Sequence, residues 1–526
     1  MSTRSPKSRT LRSAVVGVPM AATVVAAAFA GTAGTASAAD PKPATNWTSA
    51  GQDSHNTRNA ASEHILNAKN VKNLKARWTF TAGGDISATP TVVDGVAYVP
   101  DWSGKLNAVN TDTGKAVWSK PVSTYSGIQG DVSRTSPAYE GGKLVFGEGV
   151  PAMKTTAGAY LLGADAKTGA PLWKTQIDDN PAAVVTGSPV IADGVAYVGV
   201  SSKSEGMPGE PTFRGSVVAV SVDTGEILWK THTVPQGYTG GSVWGSHPAV
   251  DLERGLVYAA TGNNYSVPEG VCETPDATGC TPASPDNHQD SIVAFDLDDG
   301  KVAWARHTLE GDQWTIEKPS GPDYDFGSGP NLYTTTVDGK RTDLLGVGQK
   351  SGVYWALDPA TGKVVWQTQA GPGGLGGGIQ WGSATDGKRI YTAVTNYDNV
   401  PTTITSATGE KSTTTGGFWA ALDAATGKIL WQTADPQGHK AHGFVTSANG
   451  VVYGGSMAPK GNNMYALDAA TGKVKWGFAS GGSVVGGAAV VNGSVYWGSG
   501  YTSAMWPDKG TNNKLYAFSV GKGSKN

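Results

Sequence analysis

One motif constrains this chain more than any other: an apolar strand, then Asp-x-x-Thr-Gly, then three residues and a tryptophan. Ala421 to Trp431 shows it most clearly, and Ala356 to Trp366 and Ala466 to Trp476 repeat it almost unchanged. Looser copies end at Trp118, Trp173, Trp229 and Trp304, which brings the complete copies to seven. Asp, Thr and Gly are turn formers, and Gly supplies the positive φ that a tight hairpin needs. The tryptophan ends the strand after the turn and offers a large flat surface to a neighbouring sheet. A second hairpin precedes each motif, as in Pro90 to Val99 around Asp94-Gly95. Four strands per repeat predict the blade of a β-propeller.

An eighth copy is divided between the chain ends. Lys514 to Phe518 carries its inner half and Leu74 to Trp78 its outer half. Pairing the two closes the ring and leaves no open sheet edge. The expected fold is therefore all-β: an eight-bladed propeller docked on Trp78, Trp118, Trp173, Trp229, Trp304, Trp366, Trp431 and Trp476, all eight of them scaffold. The chain's 73 glycines and 17 tryptophans agree with such a repeated all-β design.

Residues 1–39 read as a secretory signal peptide. Arg4, Lys7, Arg9 and Arg12 precede an apolar run from Ala14 to Ala30, and Ala36-Ser37-Ala38-Ala39 offers a cleavage site. The expected location is secreted or periplasmic, with 40–526 as a single propeller domain. No later stretch approaches the roughly eighteen apolar residues of a membrane span. The net charge is −2, and no basic run is present to follow a phosphate backbone, which argues against a nucleic-acid partner. The two cysteines, Cys272 and Cys280, predict one disulfide across a short loop of an exported protein. No Walker loop, G-x-S-x-G elbow, zinc signature or C-x-x-C-H haem site occurs, and His439 with His442 reads as an ordinary loop pair.

Function is expected in the irregular spacing. Trp78 to Trp118 spans 40 residues and Trp229 to Trp304 spans 75. Blade geometry is fixed, so the extra length belongs to loops: 203–213, 265–289, 312–329 and 395–417. Long loops on a rigid scaffold commonly carry the site.

Three passages carry a family resemblance: Thr212-Phe213-Arg214-Gly215-Ser216-Val217-Val218-Ala219, Gly321-Pro322-Asp323-Tyr324-Asp325-Phe326-Gly327 and Gly348-Gln349-Lys350-Ser351-Gly352. With the tryptophan repeat, they make the chain resemble the pyrroloquinoline quinone (PQQ) propellers, and among them the PQQ-dependent polyvinyl alcohol dehydrogenases. The resemblance implies oxidation of an alcohol or polymeric alcohol outside the cytoplasm, with PQQ and Ca²⁺ near the propeller axis. An aspartate would take the hydroxyl proton while hydride passes to the quinone. Without a haem motif, the electrons would leave to a separate acceptor.

Matching passages imply the roles. Gly240-Gly241-Ser242-Val243-Trp244-Gly245 resembles the stretch beneath the cofactor, with Trp244 as its floor and Ser242 beside it. Asn263 resembles a calcium-bound asparagine. Asp325 is the implied base and a metal-side group, with Asp323 a second acid near the metal. Lys350 would contact the quinone oxygens, Arg134 a PQQ carboxylate, and Thr186 would donate a hydroxyl. Trp381 would line the entrance or simply pack. Glu205 and Glu210 both qualify as the calcium glutamate, Glu205 being preferred. One departure stands out: the relatives stack adjacent cysteines on the cofactor, whereas this chain has Gln129-Gly130 before Arg134. A non-catalytic binding or scaffold propeller is the second reading, and a quinone-free propeller enzyme acting on carbohydrate is the third.

Overall fold

A computed structural model describes residues 46–149, 158–245, 247–272, 277–309, 311–502 and 509–521. The signal peptide expected at 1–39 lies outside these residues. Ala44–Asn526 forms a contact unit of its own. Within it the described residues build eight four-stranded antiparallel blades, two of them extended by a short extra strand. In blade one Thr91–Val93, Val96–Asp101, Lys105–Asn110 and Ala116–Pro121 pair in chain order. Blade eight joins Ala489–Val491, Ser494–Tyr501 and Gly510–Val520 to the early strand Leu74–Thr81, with Trp78 opposite Ala517. The ring closes through the two chain ends, as the divided repeat predicts.

Each docking indole is tied to the next blade. All eight donate Nε1–H to a backbone carbonyl there, at distances from 2.7 Å (Trp78 to Thr111) to 3.2 Å (Trp366 to Ala424). The last bond of the ring runs from Trp476 to Leu74 at 3.0 Å. The Thr-Gly glycines serve two needs at once. Gly114, Gly169 and Gly225 have φ of 69°, 68° and 76°. A Cβ on any of them would also stand 2.7–2.8 Å from the indole of the preceding blade. Only glycine meets both the left-handed backbone and that approach.

Inner strands are covered on both faces by neighbouring sheets and read as continuous apolar runs, such as the buried core of Val96–Asp101. Outer strands alternate, as in Ala116–Pro121, because only one side of each residue pair meets a neighbour. Since strands alternate in direction, the loops between second and third strands open on the same face as the loops between blades. All four insertions fall there: 203–213, 265–289 and 395–417 inside blades three, four and six, and 312–329 between blades four and five. The structure joins Cys272 and Cys280 in a disulfide within the second of these.

One element has no counterpart in the repeat. From Trp47 to Ala60 the chain runs as a strap along the innermost strands. Trp47 exchanges two 2.8 Å bonds with Val92, and the carbonyls of Thr48, Ser54, His55, Thr57 and Arg58 accept from Tyr139, Val250, Leu332, Thr385 and Ser447 in turn. The strap thereby touches blades one, two, four, five, six and seven. Arg58 is fully buried, bonded to the Val445 carbonyl (3.1 Å) and to Thr89 Oγ1 (3.0 Å), with its guanidinium 4.4 Å from the centre of the Phe444 ring.

Candidate functional site

The loops of the insertion-bearing face converge on a cavity of about 200 Å³. Arg134, Thr186, Glu205, Ser242, Trp244, Asp323, Lys350 and Trp381 all line it. They come from blades or blade junctions far apart in the chain, and the ring brings them together.

At its centre is a buried cation between two carboxylates. Lys350 follows the second strand of blade five, and Asp323 and Asp325 come from the loop before that blade. Lys350 Nζ lies 2.6 Å from Asp325 Oδ1 and 3.0 Å from Asp323 Oδ1. It also lies 5.0 Å from the centre of the Trp244 ring. Trp244 Nε1–H donates to Asp325 Oδ2 at 2.6 Å. Both oxygens of Asp325 are thus engaged, whereas Asp323 lines the cavity. Gly262 makes room for this pairing, since a Cβ there would meet Asp325 Oδ2 at 2.7 Å.

The walls are equally defined. Thr186 Oγ1 donates to the Trp244 carbonyl (2.7 Å), which commits its proton to positioning the indole. Ser242 Oγ and Tyr265 OH are 2.6 Å apart. Trp381 meets Trp244 edge to face at 5.5 Å and donates Nε1–H to His442 Nε2 at 2.9 Å. The Arg134 guanidinium lies 4.8 Å over the Trp381 ring, and no carboxylate pairs with it among the described residues. Burial pushes the Arg134 pKa down and holds His442 near 3, so that imidazole is neutral and accepts the indole proton.

Acid is in excess. Around Lys350 stand Glu205, Asp290, Asp312, Asp323 and Asp325. Burial, then the Asp325 charge, pushes Glu205 up to about 7. Burial pushes Asp323 up to about 9 against the pull of Lys350. Asp290 is fully buried with both oxygens lacking a hydrogen-bond partner, and burial and the neighbouring carboxylates hold it well above the carboxylate range. Lys350 resists burial because Asp325, Asp323 and Glu205 hold its pKa above the ordinary lysine value. Asn263 is buried; its Nδ2 donates to the carbonyls of Asn264 and Trp314, and its Oδ1 has no partner. A buried oxygen of this kind calls for a donor or a cation.

The donor set suits a planar anion beside a hard cation. Trp244 offers a ring face, Arg134 an uncompensated guanidinium, and Glu205, Asn263 and Asp325 oxygens of the type that bind Ca²⁺. No three His, Cys, Asp or Glu side chains stand at metal-holding separation among the described residues, and the unpartnered Asn263 oxygen is a further candidate ligand. Of the two glutamates, Glu210 pairs on the surface with Lys318 at 2.8 Å, while Glu205 lines the cavity. Tyr265, Trp314, Asp290 and Asp312 were not singled out by sequence; all four lie in or beside the long loops, which was the available signal.

Beneath Arg134 and Thr186 sits a second acid pair. Glu148 is fully buried with both oxygens lacking a donor, and it faces Asp131. Asp131 Oδ1 accepts from Val132 N (2.9 Å), and the Glu148 carbonyl accepts from Val185 N (3.2 Å). Burial, then the Asp131 charge, pushes Glu148 up to about 9. A carboxyl raised in the folded state holds a proton there that the unfolded chain releases above its ordinary value of 4.5. Stability is therefore lost as pH rises from there towards about 9. Glu148→Gln is expected to remove this dependence and raise the melting temperature at pH 8–9 relative to pH 5. Thermal melts across that range check it, and parallel curves for both proteins would refute the assignment.

The site has relatives. Residues 47–373 match the PQQ family model, described as the β-propeller domain of glucose, ethanol and alcohol dehydrogenases. Residues 417–526 match a second model of the same type, described as outer membrane protein assembly factor BamB. A polyvinylalcohol dehydrogenase of Sphingopyxis sp. is 31% identical over 439 residues, which cover 75% of this chain and 61% of that protein. One of Pseudomonas sp. is 29% identical over 513 residues, covering 86% and 74%. The chain thus spans less than two thirds of the length of the Sphingopyxis relative. In fold it is similar to the quinohemoprotein alcohol dehydrogenase of Comamonas testosteroni, with a TM-score of 0.69 and 21% identity over 91% of this chain and 81% of that one. It is also similar to a europium-containing methanol dehydrogenase, with a TM-score of 0.68 and 19% identity over 91% and 98%.

Proposed function

Because the chain belongs to the PQQ β-propeller family of glucose, ethanol and alcohol dehydrogenases, we propose that it is a secreted or periplasmic quinoprotein that oxidises alcohol groups, those of polyvinyl alcohol or a similar polymer among them. The observation that carries this reading is Lys350 held between Asp323 and Asp325 against the face of Trp244. Bound PQQ with Ca²⁺ supplies a two-electron hydride acceptor and a Lewis acid. Trp244 would lie against the ring face, Arg134 would pair with a carboxylate and Lys350 would face the quinone oxygens. Glu205, Asn263 and Asp325 would hold the metal.

The chain's own residues divide the remaining work. A general base must reach the hydroxyl proton and have an oxygen to receive it. Both Asp325 oxygens already carry a partner, Trp244 on one and Lys350 on the other, and a metal would take a remaining lone pair, so Asp325 is the poorer proton acceptor. Asp323 lines the cavity, gives one oxygen to Lys350 and keeps the other. The geometry therefore favours Asp323 as the base, acting in its deprotonated form and so increasingly as pH rises towards about 9, and Asp325 as the anchor that orients Trp244 and Lys350. Thr186 and Ser242 fix Trp244 and Tyr265. Trp381, with Arg134 over it, forms one side of the cavity. The electrons then pass to a separate acceptor protein or small molecule.

Titrating PQQ and CaCl₂ into the purified protein tests the reading. Indole fluorescence is expected to be quenched as Trp244 is covered, and the loaded protein is expected to reduce a dye when alcohol is added. No quenching and no dye reduction would overturn it.

A further inference from the structure

Three of the four insertions are stitched into one backbone ladder. Arg214 bridges Gly240, Thr239–Gly240 pairs with Asn264–Ser266, Asn264 bridges Gln313, and Gln313 bridges Ser320. This ladder is a wall with two sides. Successive residues of an extended strand point to opposite faces, and here Trp314 lines the inner cavity while Gln313 and Thr315 face away from it. On that far side are two cavities of about 560 and 340 Å³. Gln313 and Val267 line both, so the two form one continuous trough. Tyr265 belongs to the trough and to the inner cavity alike.

The trough is built by segments that the blades do not need. One side is formed by Cys272, Ala277, Cys280 and the residues just after that disulfide, and the other by the 203–213 insertion. Its floor is largely uncharged. Glu210 and Lys318 at the rim neutralise each other at 2.8 Å. Asp312 is occupied by the backbone N–H groups of Asp323 and Tyr324. Burial pushes the His288 pKa down. What remains is one carboxylate, Glu317, at the exposed rim, with His307, amide and hydroxyl groups (Gln289, Gln313, Ser284) and apolar surface (Val267, Ala283, Met207). A ligand matching it carries both hydroxyls and methylene groups and exceeds the volume of a single small alcohol.

We propose that this trough is a second binding site, for an extended polyhydroxylated chain, which it holds across the Tyr265 wall from the inner cavity. The proposal rests on the alcohol-oxidising reading of the inner cavity, and the experiment separates the two.

Val267→Asp places a charge where the two halves of the trough meet, and Ala283→Arg fills the disulfide side. Neither residue touches the inner cavity. Isothermal titration of polyvinyl alcohol into the protein without added cofactor is expected to show binding, weakened about tenfold or more in each variant. In the PQQ-loaded enzyme, KM for the polymer is expected to rise about tenfold while kcat/KM for 2,4-pentanediol stays within about twofold. Unchanged polymer affinity in both variants, at wild-type melting temperature, would overturn the proposal. So would an equal loss of activity on polymer and diol. If neither alcohol is oxidised by the wild type, the reading of the inner cavity fails, and the titration still decides the trough.

Discussion

Asp323→Asn is expected to lower alcohol turnover by about 10²–10⁴-fold, the range a general base supplies, while PQQ binding stays near wild type. The substitution is isosteric, and it keeps an oxygen for Lys350, which sits 3.0 Å from Asp323 Oδ1. What it removes is a carboxylate able to accept a proton. Asp325→Asn should behave differently. Asp325 takes the Trp244 indole proton at 2.6 Å and one face of the Lys350 ammonium at 2.6 Å. Its loss should disturb the cofactor floor and the metal-side donors first, raising the PQQ concentration needed for half-saturation. Fluorescence titration gives cofactor affinity, and steady-state dye reduction at saturating PQQ gives kcat. Full activity in Asp323→Asn together with a kcat collapse in Asp325→Asn would return the base role to Asp325.

That choice shows where sequence stops being informative. Two acids separated by one residue in a loop are indistinguishable by pattern, and the resemblance alone favoured Asp325. Their directions are set by backbone: Asp323 has φ of 54°, a left-handed conformation that non-glycine residues rarely adopt. It turns one carboxylate towards the cavity and leaves the other behind it. The blade repeat, by contrast, was fully legible. Each Thr-Gly turn, indole and strand is a local pattern copied along the chain, and even the divided eighth blade showed as two complementary halves. Trp244, Asn263 and Lys350 could be picked out because they stand outside the repeat positions. Their mutual contacts could not, since they join residues from different blades. The strap from Trp47 to Ala60 gave no signal at all. It pairs one or two residues at a time with successive blades, so it has neither strand-length alternation nor a helical period. Nothing in its sequence marks Arg58 as a fully buried side chain, because arginine is ordinarily a surface residue. Asp290 escaped for a related reason: an acid in a loop reads as solvated until the fold covers it.

The second large effect concerns the cation that holds these acids together. Lys350→Met is expected to cost about 3–5 kcal/mol at neutral pH, the usual penalty for leaving buried charges without their partner. Lys350 is 6% exposed and is the ammonium shared by Asp323 and Asp325. Without it Asp323, Asp325 and Glu205 face one another across a buried space. The fold can answer only by keeping protons on Asp323 and Glu205, which burial already holds above the carboxylate range. A raised carboxyl contributes no penalty below its unfolded pKa, and a growing one as pH climbs above it. The variant should therefore melt close to wild type near pH 4 and well below it at pH 8. Added Ca²⁺ should restore part of the loss at pH 8, because Glu205, Asn263 and Asp325 then regain a cation among their oxygens. Melting curves at the two pH values, with and without Ca²⁺, measure all three expectations. A variant that melts equally far below wild type at both pH values would mean that the lost methylene packing of Lys350, and not its charge, is what the site depends on. A pH-dependent loss that Ca²⁺ leaves untouched would keep the charge argument and remove Glu205, Asn263 and Asp325 as a metal-binding set.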